Sequence, residues 1–375
     1  MNILVCPLDW GLGHATRCVP IIRELQAQGC EVLIGGSGRA LAFLKAEFPD
    51  CQFLHIPSYP FFYSKSIPLS AAMAFSAPAI IFGILRENRQ LRNIIRTHNI
   101  HAVISDNRFG LWSSKIPCVY ITHQVRIKAG AWLKFLEPLL YCIHSFFIRK
   151  FNRLWIPDYE NEPNLSGELG HHFGNDLNAE YLGPLSRFNN LEYSGENQNE
   201  LRPADILFIV SGPEPQRSIF EDLIIRQANT TDKKMILLQG IPGPVTQPSI
   251  QGNLTIFPHL SSADMKFLID NAEIIVCRPG YSTVMDLAVM QKKAFFIPTP
   301  GQTEQEYLAA YYAEQGIAAF SPQHLFNLKE IASLAQESSG FREISSGCRP
   351  EPAIRKLVDY LCTLKNVQQL TTVNP

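Results

Sequence analysis

Charge is scarce in this chain: Asp, Glu, Lys and Arg together make 18% of 375 residues, hydrophobic residues make 46%, and the formal net charge is −1. No global field exists to collect nucleic acid, so that class of partner is set aside. The 9 cysteines form no Cys-x-x-Cys pair. An odd, scattered set held mostly in apolar runs (Cys6, Cys118, Cys277) excludes a disulfide framework and reads as reduced core thiols of a cytosolic protein. Met1 to Pro7 runs straight into a strand pattern, without the charged stretch and apolar run of a signal peptide. No metal is assigned: Cys6, Cys18 and Cys30 fall on separate elements, and His171-His172 sits in a Gly- and Asn-rich loop where adjacent histidines are more often solvent-exposed.

A chain this long is natural for two domains. Short β-branched apolar runs alternate with polar turns and helical spacings in both halves, which predicts two parallel-sheet units. In the first, Ile3 to Pro7 is a strand that enters Gly11-Leu12-Gly13-His14, a helix over Val19 to Gln28 follows, and Glu31 to Ile34 and Gln52 to Ile56 are further strands. The order is that of a Rossmann-like unit, but the third glycine of the dinucleotide fingerprint is missing, so a dinucleotide oxidoreductase is the weakest reading. His101 to Ser105 ends at Asp106, Pro117 to Thr122 ends at His123, and Leu154 to Pro157 is another strand. Asn189 to Arg202 is polar and reads as a linker. After it Ile206 to Val210 enters Ser211-Gly212-Pro213, Met235 to Leu238 enters Gln239-Gly240, and Leu254 to Phe257 enters Pro258-His259-Leu260. The expected boundaries are 1–186 for the N-terminal domain, 187–204 for the linker and 205–345 for the C-terminal domain. A last amphipathic helix and frayed tail, 346–375, return to the N-terminal domain.

Two apolar segments stand outside this alternation. Ile67 to Leu85 runs without a charge but holds Pro68, Pro78, Gly83 and two serines, a poor membrane span. A buried or ligand-facing helix pair and a membrane-contact surface are the other readings. Trp132 to Arg153 mixes aromatic and apolar residues with Lys134, Arg149, Lys150 and Arg153, which suits either a core helix or one lying on an anionic membrane.

The richest stretch is Ala272 to Glu306. Ile274 to Cys277 is a buried strand stopped by Arg278-Pro279-Gly280. Ser282 or Thr283 is expected to cap a short helix, with Asp286 one turn further on the same face. Ala294 to Pro298 is the next strand and breaks into the polar loop Pro300 to Glu306. Two strand ends thus present hydroxyls, carboxylates and amides to one crevice, where a helix N-terminus suits an anionic group such as a pyrophosphate. Opposite it, His14, Asp106 and His123 are the titratable groups at N-terminal strand ends. His14 as general base with Asp106 as its partner is the preferred assignment, His123 lying on the acceptor side. A helix-capping histidine and a turn-forming aspartate are the bland alternatives.

The glycine turn at Gly11 to His14, Ser211-Gly212-Pro213, and above all Arg278-x-Gly280-x-Ser282-Thr283-x-x-Asp286-Leu287 followed by Pro300 to Glu306 resemble GT-B glycosyltransferases. The nearest branch is family 28, that of the peptidoglycan N-acetylglucosaminyltransferase, with its uncharacterised bacterial relatives. The resemblance spans nearly the whole chain and implies two Rossmann-like domains facing a cleft. It implies that Asp286 holds the ribose hydroxyls with both carboxylate oxygens, and that Ser282, Thr283, Gly280 and the helix end receive the diphosphate. Arg278 would be the countercharge, with Gly13, Ser211 and Gly212 flanking the phosphates. His259 and Leu260 would hold the base, and Gln302, Gln305 and Glu306 would read the sugar. Asp-x-Asp, the divalent-metal motif of the other glycosyltransferase architecture, occurs nowhere, so metal-free, inverting transfer without a cofactor is expected. The implied donor is a UDP-sugar, UDP-GlcNAc by resemblance. The implied acceptor is a hydroxyl of a cell-envelope lipid-linked sugar or glycolipid, met at the inner face of the membrane. A UDP-sugar 2-epimerase or hydrolase and a non-catalytic nucleotide-sugar-binding protein are the alternatives.

Overall fold

The computed structural model describes residues 1–59, 69–189, 191, 201–212, 214–241, 247–341 and 349–373. Most of the expected linker, Pro213, and the first residues of the apolar segment at 67–68 lie outside them. Strands β1 (Asn2–Pro7), β2 (Glu31–Gly36), β3 (Gln52–His55), β4 (Ile100–Asp106), β5 (Cys118–Ile121), β6 (Arg153–Ile156) and β7 (Ala179–Tyr181) form one sheet in the order β3-β2-β1-β4-β5-β6-β7. Every pairing in it is parallel. A second sheet holds β8 (Ile206–Ile209), β9 (Met235–Leu238), β10 (Ser249–Gln251), β11 (Leu254–Phe257), β12 (Ile274–Cys277) and β13 (Phe295–Phe296), in the order β10-β11-β9-β8-β12-β13. Only the edge strand β10 runs antiparallel.

The connecting helices are α1 (Leu12–Ala27), α2 (Gly38–Glu47), α3 (Leu69–Thr97), α4 (Glu137–Ile148), α5 (Gln216–Ala228), α6 (Ser262–Asn271), α7 (Tyr281–Val289), α8 (Thr303–Glu314), α9 (Leu328–Gln336) and α10 (Glu351–Val373). Strands such as Ile-Ile-Val-Cys in β12 are buried along their whole length, as a parallel sheet covered on both faces demands. Polar caps start two of the helices: the Ser261 hydroxyl accepts from the Asp264 amide at 3.1 Å before α6, and the Asn327 side chain accepts from the Lys329 amide before α9.

Strand order reverses between β1 and β4 in the first sheet and between β8 and β12 in the second. Open α/β sheets bind ligands outside the strand ends at such switch points. At these ends lie His14 in the first turn of α1, Asp106 at the end of β4, Ser211 just after β8 and Ser282 in the first turn of α7. The two switch points are joined, because α1 packs against α7 and their apolar residues, among them Ala15, Cys18, Val284 and Met285, belong to one continuous core.

Several expectations are corrected. The edge strands β7 and β10 fall outside the expected set: at three residues each, with exposed positions, they carry no continuous apolar run. The expected helix pair is one helix of 29 residues, α3, with Pro78 inside it. Helix α10 runs on to Val373, where a frayed tail was expected, and packs on α1, with Lys356 Nζ 3.3 Å from Glu180 of β7. His171 is buried, not exposed, stacked on Tyr181 with Nε2 3.2 Å from Asp158.

Candidate active site

Gly11 takes φ of 110° at the end of the β1 turn, a conformation that favours glycine, and this turns the chain into α1. His14 and Arg17, three apart, then share one face of the first helical turns, over the end of β4. His14 Nδ1 lies 2.9 Å from Asp106 Oδ1. The Arg17 guanidinium forks onto the same carboxylate, Nε donating to Oδ2 at 2.6 Å and Nη2 donating to Oδ1. Nη2 also lies 2.8 Å from His14 Nδ1, but an ionised carboxylate only accepts, so the 2.9 Å contact with Asp106 is a hydrogen bond only with the proton on Nδ1. The imidazole therefore carries its neutral-state proton on Nδ1 and donates it to Asp106. His14 Nε2 has no hydrogen-bond partner among the described residues.

Burial alone would raise the Asp106 carboxyl, but Arg17 and His14 beside it hold it down at about 2. Burial pulls the His14 imidazole below its ordinary value, Asp106 opposes this, and Arg17 adds to the lowering. At neutral pH the result is an ionised Asp106 orienting a neutral imidazole, the protonation state of a general base.

The second histidine completes a chain. Arg17 Nη1 lies 3.0 Å from His123 Nδ1, and His123 Nε2 lies 2.9 Å from Glu304 Oε1, on the first turn of α8. The His123 ring stacks on Tyr281, centroids 4.0 Å apart and planes at 5°, and the Tyr281 hydroxyl donates to the Pro157 carbonyl. Next to it, Thr303 donates to the Lys128 carbonyl at 2.9 Å.

The C-terminal residues fall less simply. Helix α7 begins at Tyr281 with Gly280 as its N-cap, so neither Ser282 nor Thr283 caps it. Ser282 instead donates to the Gly13 carbonyl at 2.8 Å, and a Cβ on Gly13 would come within 2.8 Å of that hydroxyl oxygen, so a side chain there would displace Ser282 from this bond. Asp286 Oδ1 accepts from Ser186 at 2.6 Å, and among the described residues Oδ2 accepts nothing, so one oxygen is left for a ribose where two were expected. Burial pushes this carboxyl up to about 6, against the opposing pull of Arg187 and Ser186.

Arg278 is buried and spends its guanidinium on the carbonyls of Ile297, Pro298 and Gln216 and on the Gln323 side chain, over the face of Phe220. It ties loop ends together and does not stand free as a countercharge. Gln302 is the N-cap of α8 without a side-chain bond. Gln305 and Glu306 fold back on their own loop, accepting from the Thr299 and Gly301 amides at 2.8 and 2.9 Å. Ser211 and Gly212 lie half-buried after β8, and Leu260 is buried beside a half-buried His259.

Three residues of consequence escape the sequence reading. Arg17 is legible there only as a cation sharing a helix face with His14. Glu304 is hidden among the polar residues around it. Arg187 lies buried over the rings of Phe43 and Phe188, its Nε without a partner among the described residues, with Asp286 and Glu47 as the acidic groups near it. His259 feels its charge as well.

Away from this centre, α4 and the turn before it expose Phe135, Leu139, Ile143 and Phe146, and α3 exposes Ile81, Phe82 and Leu85. The two helices meet through Ile80, Ile84, Phe109 and Phe147. Arg86, Arg89 and Lys134 are exposed around the patch. No helix among the described residues is long and apolar enough to cross a membrane. Nor, among them, do three or more His, Cys, Asp or Glu side chains gather as a metal site would require.

Residues 229–339 match the glycosyltransferase family 28 C-terminal domain. The UDP-N-acetylglucosamine--N-acetylmuramyl-(pentapeptide) pyrophosphoryl-undecaprenol N-acetylglucosamine transferase of Pasteurella multocida is 25% identical over 86% of this chain and 84% of its own. An uncharacterised glycosyltransferase of Methanosarcina mazei is 24% identical over 84% of each. The glycosyltransferase SnogD from Streptomyces nogalater superposes with a TM-score of 0.62 at 14% identity, covering 96% of this chain and 99% of its own, a likeness of fold.

Proposed function

The chain is a glycosyltransferase of GT-B architecture resembling family 28, and we propose that it moves N-acetylglucosamine from UDP-GlcNAc to a hydroxyl of a lipid-linked acceptor with inversion and without a metal. The observation that carries this reading is His14, its Nδ1 held by Asp106 and its Nε2 without a partner among the described residues, at the same crevice as the N-terminus of α7. The acceptor oxygen attacks the anomeric carbon while His14 Nε2 takes its proton. The bond from that carbon to the diphosphate oxygen breaks, and UDP leaves with the electron pair. Asp106 stabilises the imidazolium so formed. Charge on the departing diphosphate meets the N–H groups at the start of α7, with Ser282 released from Gly13 to join them.

Arg187 takes the cationic role first given to Arg278. Its charge acts both on His259, in the turn assigned to the base, and on Asp286, the carboxyl assigned to the ribose, and its Nε has no partner among the described residues. The exposed apolar and basic faces of α3 and α4 would rest on the cytoplasmic side of a membrane, where a lipid-linked acceptor is presented. Thermal-shift titration with UDP, GDP, dTDP and ADP tests the donor side. UDP alone should raise the melting temperature, with a loss in Arg187→Met, whereas equal shifts by all four would remove the nucleotide assignment.

A further inference from the structure

We propose that Glu304 is a positioning residue for the base, delivered by the C-terminal domain and acting through His123 and Arg17. This rests on the reading of His14 as the base. Glu304 belongs to α8 of the second domain, yet its carboxylate lies 2.9 Å from His123 Nε2 on the first. An ionised carboxylate only accepts, so Nε2 carries the proton, and His123 Nδ1 is left as a lone-pair acceptor for Arg17 Nη1 at 3.0 Å. That third anchor fixes the guanidinium plane so that Nε and Nη2 both address Asp106, which in turn holds the His14 Nδ1 proton.

Without Glu304 the His123 ring is free to put its proton on Nδ1. Donor would then face donor at Arg17, and the fork on Asp106 would lose its third support. The base is therefore held in its working tautomer only while the two domains are in contact. Other groups face His14 too: Asp106 from the end of β4, Arg17 from its own helix, His123 from the turn after β5 and Glu304 from α8, with the buried Cys18 thiol beside Asp106. A base armed by closure would leave a donor bound to the open form unactivated toward water.

The test reads the histidine rings of the full chain labelled with isotopic histidine, by long-range proton–nitrogen correlation across pH, with His14→Gln and His123→Gln for assignment. Wild type should show His14 protonated on Nδ1 and His123 on Nε2. Glu304→Ala should give mixed tautomers at both rings, and Glu304→Gln, whose amide oxygen still accepts from Nε2, should restore the wild-type pattern at both. Arg17→Met should raise the His14 titration midpoint, since the lowering by the cation is removed. Arg17 is buried and its variant risks misfolding, but Glu304 is partly exposed, so its two variants stand alone. A His14 spectrum untouched by Glu304→Ala while His123 changes would overturn the proposal. If Asp106→Asn leaves His14 unchanged, or wild-type His14 carries its proton on Nε2, the base assignment itself fails, an outcome distinct from the loss of the relay alone.

Discussion

Asp286 sits where the chain first promised a ribose contact, and replacing it with asparagine separates the cost of burying a carboxyl from its use. Burial raises its folded-state value from 3.8 to about 6. Below pH 3.8 both folded and unfolded chains hold the proton, and the group contributes nothing to the pH dependence. Between there and about 6 the unfolded chain has lost the proton while the folded one keeps it, so stability falls as pH rises. Above that range the whole penalty applies, roughly 3 kcal/mol at about 1.4 kcal/mol per pH unit. The asparagine side chain keeps an oxygen to accept from Ser186 and has no charge to desolvate. Urea melts of wild type and Asp286→Asn should therefore diverge with pH. Whatever the offset near pH 4, the variant should gain roughly 3 kcal/mol relative to wild type by about pH 7.5. A difference independent of pH would show that Asp286 ionises freely in the fold and would refute the reasoning. The same variant measured for UDP binding reports on the ribose: one remaining oxygen predicts a loss of about tenfold, the worth of one hydrogen bond to a charged group.

The Asp106 pair behaves in the opposite sense. Its depressed value means that its stabilisation is in place above pH 3.8 and is lost as pH falls through about 2, so the deficit of Asp106→Asn, about 3–5 kcal/mol with Arg17 left uncompensated, should be full at neutral pH and shrink in acid melts. Arg278→Met removes the donor to two buried carbonyls and one part-buried carbonyl and should cost about 2–4 kcal/mol in urea melts. UDP affinity well below the melting temperature should hold, and a tenfold loss of affinity at unchanged stability would return Arg278 to the phosphates. Serine at Phe135, Ile143 and Phe146 together should lower partition onto anionic vesicles at least tenfold, since each buried side chain is worth about 1.5 kcal/mol or more, and equal sedimentation would remove the membrane face.

The parallel sheets were legible because their strands are buried on both faces. Ile274 to Cys277, Met235 to Leu238 and Leu254 to Phe257 read as strands at their observed bounds, since a continuous β-branched or aliphatic run between turn residues has few other uses. Edge strands β7 and β10 carry no such run. The donors and acceptors of the site were harder, because residue type does not say which partner takes a side chain. Gln305 and Glu306 look like sugar readers until their own loop's amides claim them. Asp286 offers two oxygens until Ser186, 100 residues earlier, takes one. Arg17 acquires meaning from the packing of α1 over the end of β4, and Glu304 from the docking of α8 against the turn after β5, long-range contacts that no local pattern encodes.

Sugar transfer by His14 is the central claim, and incorporation of radiolabel from UDP-GlcNAc into the lipid fraction of isolated membranes tests it most directly. Wild-type protein should label lipid, and His14→Ala should lose on the order of 100-fold or more in rate, the scale of a general base, while its UDP binding is unchanged. Equal labelling by the two proteins, or release of free or epimerised sugar with no acceptor present, would contradict the account.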